Sequence, residues 1–402
     1  MGDVRGSSLN AWVPWKANTP VDERMQFLAR LRDGERLVDL CREFEISRKT
    51  GSKFKKRFEE LGVNGLLDQR RSPKTIPHRT PDDIVKLVLA LRRLHPTWGP
   101  KKLHEVLKKK NPKIHIPAPS TIADIMTRNG VKMNSRRRRH KNISTPYPEL
   151  STPTAPNDLW CIDYKGQFRL GNRKWCFPFT VTDAASRYIL ACEGFERISG
   201  DDVRRVLEHL FKTIGLPKAI RYDGGPPFAS STSLARLSRL SAWWVSLGIK
   251  LEQTEPASPQ QNGRHERMHR TLKAETTRPA GKNLLSQQAR FDAFVETFNY
   301  ERPHEALAMK CPADVFAPST RVAKLLSIDY PLHDHALKVM HNGTIRFPRG
   351  FRGDPVYFLS ECLVGHTVGV RELDDDRWLV SLQQIELGWV DRRTKRFEPK
   401  DA

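Results

Sequence analysis

The chain changes its hydrophobic rhythm from helical to mixed to alternating as it runs from Thr19 to Pro399. Apolar residues first recur every three or four positions, which predicts helices. In residues 19–67, Met25, Phe27, Leu28 and Leu31 mark a helix over Val21–Arg32 that Asp33-Gly34 stops. A short helix over Leu37–Phe44 follows. After a tight turn at Glu45-Ile46, Ser47 caps a third helix over Arg48–Leu61. That helix turns Phe54, Phe58 and Leu61 to a core and carries Arg48, Lys49, Lys53, Lys55, Lys56 and Arg57. Two short helices, a turn and a basic helix make the helix-turn-helix plan, with Arg48, Lys49 and Lys53 as candidate DNA contacts. Residues 82–131 repeat the layout. A helix over Asp82–Leu94 is followed by one opened by Trp98-Gly99-Pro100 and a third over Ile122–Asn129 that Gly130 ends. This predicts a second helix-turn-helix-like DNA-binding domain.

Over residues 157–318 strand-like and helix-like runs mix. Strands are expected over Asp158–Leu170, Arg173–Asp183 and Arg187–Phe195, with Gly171-Asn172 as a hairpin turn. Then come a helix over Gly200–Ile214, a strand over Lys218–Tyr222, a helix over Leu234–Leu247 and a strand over Ile249–Gln253. A long helix starts near Gly263, and another spans Leu284–Glu301. Three antiparallel strands followed by alternating helix and strand predict an α/β layer on a mixed sheet. In residues 336–399 the pattern turns to short strands punctuated by Gly and Pro, which reads as a small all-β domain of the SH3-like barrel kind. The fold class is therefore multidomain: a helical helix-turn-helix N-terminal region, an α/β core and a small all-β C-terminal domain.

Charge narrows the partner. With 69 Lys+Arg against 46 Asp+Glu, the net charge of +23 points to a polyanion, and nucleic acid is the first candidate. The excess is clustered. Arg136, Arg137, Arg138 and Arg139 open a basic linker, residues 132–156, whose later part is rich in Pro, Ser and Thr and is suited to tracking a phosphate backbone. The six cysteines form no Cys-x-x-Cys pair, which argues against a structural zinc site and for a reducing compartment. Met1–Asn10 has no apolar leader core, and no run approaches ~18 apolar residues. The expectation is a cytoplasmic, nucleoid-associated protein with no membrane partner.

The candidate chemistry is acidic. Asp163 sits in the middle of an apolar, aromatic strand, where a carboxylate is costly without a partner. Asp223 directly follows a strand, at the end where ligands of α/β sheets gather. Glu266 lies in the first turn of a helix, favoured there by the helix dipole. Three carboxylates brought to one point require a hard divalent cation with oxygen ligands. Paired Mg²⁺ or Mn²⁺ ions on such a trio suit phosphoryl transfer. Asp163, Asp223 and Glu266 are thus the candidate catalytic and metal-ligating residues. Arg270 and Lys273, four and seven positions after Glu266, share its helix face.

The blocks around these acids are Trp160-Cys161-Ile162-Asp163, Arg221-Tyr222-Asp223-Gly224-Gly225-Pro226-Pro227-Phe228 and Ser258-Pro259-Gln260-Gln261-Asn262-Gly263-Arg264-His265-Glu266-Arg267-Met268-His269. In order and flanking residues they resemble the integrase-core DDE transposases of bacterial insertion sequences, akin to retroviral integrases. The resemblance implies a ribonuclease-H-like fold for the core and two metal ions held by the trio. It implies a homo-oligomer on double-stranded DNA, holding both element ends. The reaction implied is hydrolytic nicking followed by attack of a 3′-hydroxyl on target DNA. It also implies that Arg270 and Lys273 hold the element end, with Gln260, Gln261 and Asn262 beside the substrate. The chain departs from the family at Gly224, where Asn is usual, and helix-turn-helix units replace the His/Cys zinc module of retroviral integrases. Two other readings stand beside a transposase: a sequence-specific DNA-binding protein with an inactive ribonuclease-H-like domain, and a nuclease of that fold without strand transfer.

Overall fold

The computed structural model describes residues 19–68, 79–131, 150–230, 232–255, 259–322, 330–348, 356–374 and 376–400. Arg136–Arg139 and Ser258 lie outside the described residues. The chain divides into two compact units, residues 1–79 and 80–402.

In the first unit, α1 (Pro20–Arg32) begins on a Thr19–Asp22 capping box, α2 (Leu37–Glu43) is short, and α3 (Arg48–Leu61) is capped by Ser47 accepting the Thr50 N–H. Phe27, Leu28, Leu40, Cys41 and Leu66 form the core, with Phe54 and Phe58 against it. Gly51 is where α3 comes closest to α2: a Cβ there would stand 2.6 Å from Cys41 Sγ. Arg48, Lys49 and Lys53 are all exposed on α3.

The second unit opens with α4 (Asp82–Leu94), α5 (Pro100–Lys110) and α6 (Pro119–Arg128) around Val88, Trp98, Leu103, Ile122 and Met126. A mixed sheet follows: β1 (Leu159–Tyr164), β2 (Phe168–Arg169), β3 (Trp175–Asp183), β4 (Ile189–Phe195), then α7 (Gly200–Thr213), β5 (Ala219–Tyr222), α8 (Arg239–Ser246), β6 (Lys250–Gln253), α9 (Gly263–Thr276) and α10 (Leu284–Glu296). The strand order is β2-β3-β1-β5-β6, with β4 also on β3; β1, β5 and β6 run parallel. One face of the sheet packs on α7 and α8 through Trp160, Phe179, Leu207, Ile220, Phe228 and Trp244. The other carries α9 and α10, with Cys176, Ile189, Met268, Leu272 and Phe291 between.

Three expected elements differ. The strand expected over Asp158–Leu170 breaks after Tyr164, because the Lys165 N–H donates to the Pro178 carbonyl and Pro178 has no N–H to return. The helix expected over Leu234–Leu247 is a short 3₁₀ turn and then α8. Ala235 and Arg236 take positive φ, and Ser238 starts the helix afresh by accepting the Ser241 N–H. The helix expected to Glu301 widens after Glu296 into a π turn, where Asn299 bonds both the N–H and the carbonyl of Ile189 at 2.9 Å.

The C-terminal region is all β: β7 (His335–Lys338), β8 (Thr344–Arg346), β9 (Val356–Phe358), β10 (Thr367–Asp374), β11 (Arg377–Leu382), β12 (Ile385–Asp391) and β13 (Arg396–Pro399). The last was not expected. The sheet order is β13-β12-β11-β10-β7, and β8 pairs with β9. Its core of Val368, Val370, Trp378, Val380 and Val390 also takes in Leu237, Ala242 and Val245, from α8 and the residue before its cap. All six cysteines are buried free thiols. Among the described residues no helix is long and apolar enough to cross a membrane.

Phe228, 1% exposed, is the apolar anchor of the loop that follows β5, with rings of Tyr164, Tyr222 and Trp244 within 6.4 Å of its own. Phe228→Ala is expected to cost about 3–5 kcal/mol, read as a lower denaturant midpoint.

Candidate active site

β1 and β5 lie side by side and parallel, with Cys161 opposite Arg221, so the residues ending β5 come level with Asp163. Asp163 also pairs with Thr180 on β3. Asp223 is the first residue after β5, exposed, its Oδ1 taking the Gly225 N–H at 3.4 Å. Glu266 stands exposed in the first turn of α9. Burial raises the Asp163 carboxyl from 3.8 to about 7, and the negative charges of Asp223 and Glu266 both add to the rise. Burial also raises Asp223, against the Gly225 hydrogen bond. Two carboxylates thus act on the half-buried Asp163, and that repulsion fits a divalent cation bound beside it.

What seats α9 on the sheet is polar and buried. His265 and His269, 2% and 1% exposed, face β3. Both Nε2 atoms meet Thr180 Oγ1, at 2.8 and 2.6 Å, and His265 Nδ1 meets Thr182 Oγ1 at 2.7 Å. His269 Nδ1 is left facing Asp163 Oδ2 at 3.6 Å. Burial keeps both imidazoles neutral, His265 at about 3 and His269 well below its usual value. Two proton orders satisfy this chain. In one, Thr180 donates to His269 Nε2, and His269 Nδ1–H faces an ionised Asp163. In the other, Thr180 donates to His265, and the bare His269 Nδ1 faces a protonated Asp163. Asp163, His265 and His269 have donor atoms close enough to hold a metal. Both His265 nitrogens are already in hydrogen bonds, however, so the imidazoles serve α9 better as a mount for Glu266 and a neighbour for Asp163.

A second tie is the buried Arg221. It donates from Nη2 to Glu252 Oε2 at 2.8 Å and to the Ser151 carbonyl at 2.8 Å, and from Nη1 to the Gln261 carbonyl at 3.2 Å. It thus joins β5, β6, the segment entering the core and the turn before α9. Asn262 occupies the N-cap position of α9 without capping it, and its Oδ1 is buried with no partner. Arg270 and Lys273 are exposed further along α9. Gly224, where the family resemblance expects Asn, lies against Gln253: a Cβ there would be 2.7 Å from Gln253 Nε2. Thr180 stood in no motif, and Arg221, His265 and His269 stood only as flanking residues of the acidic blocks, with no role of their own. The histidines' signal was their spacing of four on the face carrying Met268 and Leu272.

Because Asp163 binds its proton more tightly folded than unfolded, metal-free stability falls as pH rises from about 4 through about 7. In chelator at pH 8, Asp163→Asn is expected to be stabler than the parent by on the order of 2 kcal/mol, with no gap near pH 4. Thermal melts across that range, repeated with Mg²⁺ to close the gap, check it. Thr180→Val, which strips both imidazoles of their shared partner, is expected to lower stability by about 1–3 kcal/mol, and Thr180→Ser to restore it.

The chain matches known families in four places. The Integrase core domain family matches residues 153–259 and, through a second family model of that description, 247–312. A Homeodomain-like domain matches residues 50–126 and a Helix-turn-helix domain residues 23–74. An uncharacterized insertion element IS136 protein of Agrobacterium fabrum is 32% identical over 39% of this chain and 80% of its own length. An insertion element IS407 protein of Burkholderia multivorans is 29% identical over 45% of this chain. The chain spans 63% of the length of that protein and of an IS476 relative from Xanthomonas euvesicatoria. Among solved structures, the HTLV-2 integrase catalytic core domain in complex with magnesium aligns at TM-score 0.32 and 16% identity, over 40% of this chain and 97% of that one. With the family models falling on the residues that form the sheet, the acidic trio and the N-terminal helices, and with the IS136 protein matched over most of its length, the chain belongs to the integrase-core family carried by bacterial insertion elements.

Proposed function

We propose that this chain is the transposase of its insertion element, nicking DNA at the element ends and joining each freed 3′-hydroxyl to target DNA. The observation that carries the reading is the parallel register of β1 and β5, which brings Asp223 level with Asp163, with Glu266 in the first turn of α9, whose His269 Nδ1 faces Asp163 Oδ2 at 3.6 Å. Asp163, Asp223 and Glu266 are the residues that would hold divalent ions, two Mg²⁺ or Mn²⁺. Bound there, such ions supply charge neutralisation at the attacking and leaving oxygens of the phosphodiester. The chain's own residues do the rest. His269 and Thr180 hold Asp163 in place, the α9 mount fixes Glu266, and Arg221 fixes the turn that leads into α9. Arg270 and Lys273 are placed to hold the backbone phosphates of the element end, and Asn262 to touch the strand beside them.

In the same reading, α3 enters the major groove with Arg48, Lys49 and Lys53 toward the DNA, and residues 82–131 form a second DNA-binding domain. Arg136–Arg139 in the linker of residues 132–156 follow the backbone. The core, residues 157–318, then works as a homo-oligomer on paired ends in the bacterial cytoplasm at the nucleoid. Residues 336–399 form the small barrel beside it.

A Mg²⁺-dependent joining assay with the ends of the encoding element tests this. Asp163→Asn, Asp223→Asn and Glu266→Gln are each expected to reduce strand transfer by on the order of 10³-fold or more while end binding holds within about twofold. Strand transfer retained in all three variants would falsify the assignment.

A further inference from the structure

Along α9, bordered by Arg270 but not by Glu266, lies a second cleft of about 470 Å³. Its walls meet from several parts of the second unit: Lys102 of α5, Arg187 before β4, Arg264 and Arg267 of α9, and Arg302 with His304 after α10. The acids nearby are committed elsewhere. Asp183 takes the N–H groups of Asn157 and Ser186, each at 2.7 Å. Glu305 pairs with Lys101 at 3.1 Å, and Glu275 with Arg302 at 3.0 Å. Among the described residues the Lys102 ammonium and the Arg187 guanidinium have no hydrogen bond or ion pair, and His304 Nε2 is buried without a partner.

The positive charges of the cleft act on one another and on the neutral imidazole of His304. Burial, and then the charge of Arg302, brings Lys102 down to about 7 against the opposing pull of Glu305 and Glu275. Burial, then Lys102, Arg302 and Arg187, holds His304 at about 3. Burial, then Arg264 and Arg267, lowers Arg187. Partly desolvated charges of one sign, with no acid among them left to pair, are an unfavourable arrangement unless an anion completes it. A tetrahedral oxyanion does so well, since it offers several acceptors to guanidinium forks and a point charge to an ammonium.

We propose that this cleft is a seat for a phosphate-class oxyanion, with Lys102 and Arg187 as its principal contacts. The source is either a backbone phosphate of bound DNA or a free phosphate. The first fits the placement. Cys161 also lines the cleft, two residues and so ~7 Å along β1 from Asp163, about two nucleotides of duplex axis. The seat goes beyond the carboxylate chemistry of the joining reaction, and in its DNA form it rests on the proposed reading by extending the hold that Arg270 has on the element end.

The test uses the full chain and reads binding, so its failure is separate from failure of strand transfer. Inorganic phosphate is titrated calorimetrically into the parent, Lys102→Met, Arg187→Gln and a surface control, Lys86→Met. Duplex affinity is then measured against salt for the same proteins. Lys102→Met removes an unpaired, partly buried charge, so its melting temperature should not fall, and Arg187→Gln is an independent second probe. Loss of phosphate affinity by about tenfold or more in both cleft variants, with the control unchanged, supports the seat. A salt dependence of duplex binding shallower by about 1 in the same variants also supports it and identifies the occupant as a backbone phosphate. Phosphate loss with an unchanged salt slope identifies a free anion instead. Parental phosphate uptake and parental salt slope in both cleft variants would overturn the proposal.

Discussion

The site depends on a helix held to a sheet by hydrogen bonds instead of by apolar packing alone. Thr180 Oγ1 is shared by His265 and His269, and Thr182 takes the remaining nitrogen of His265. A buried imidazole without such partners would cost stability, so this network specifies one register of α9 on β3. Leucines at the same positions would tolerate sliding. Directional partners do not, and Glu266 is carried on the helix they lock.

The carboxylates pull the other way. Asp163 is a half-buried acid whose nearest acidic neighbours make ionisation harder, with Lys165 the main opposing charge. Such a site is less stable empty of cations than a polar but neutral one would be. The fold tolerates it because the surrounding framework is overdetermined. Arg221 spans four segments, Phe228 pins the loop after Asp223, and Asn299 closes the edge of β4. Strain from the charges is met by parts that carry no charge to the site.

Much of this was legible in the sequence, and the limits have physical causes. The order of strands and helices in the core followed from hydrophobic period, and Asp163, Asp223 and Glu266 were marked by position relative to strand ends and helix start. The break after Tyr164 was not, because it depends on Pro178 standing across the ladder. The restart of the helix at Ser238 was written in the local Ser-x-x-Ser spacing but was hidden by the apolar run around it. Thr180 and Thr182 had no signal of their own, since their role arises only when α9 packs on β3. The basic cleft was still less visible: Lys102, Arg187 and Arg302 are far apart along the chain, and only folding makes them neighbours.

Helix α8 belongs to two interiors at once. Trp243 and Trp244 lie among the residues under the mixed sheet, while Ala242 and Val245 lie in the core of the C-terminal strands. Eight residues thus act as a common wall, and the β-rich end is not a module tethered by its linker alone. Rotating it away would strip apolar cover from the same short helix that supports β5 and β6. Whatever load the C-terminal strands take up is delivered to the strand that leads into Asp223.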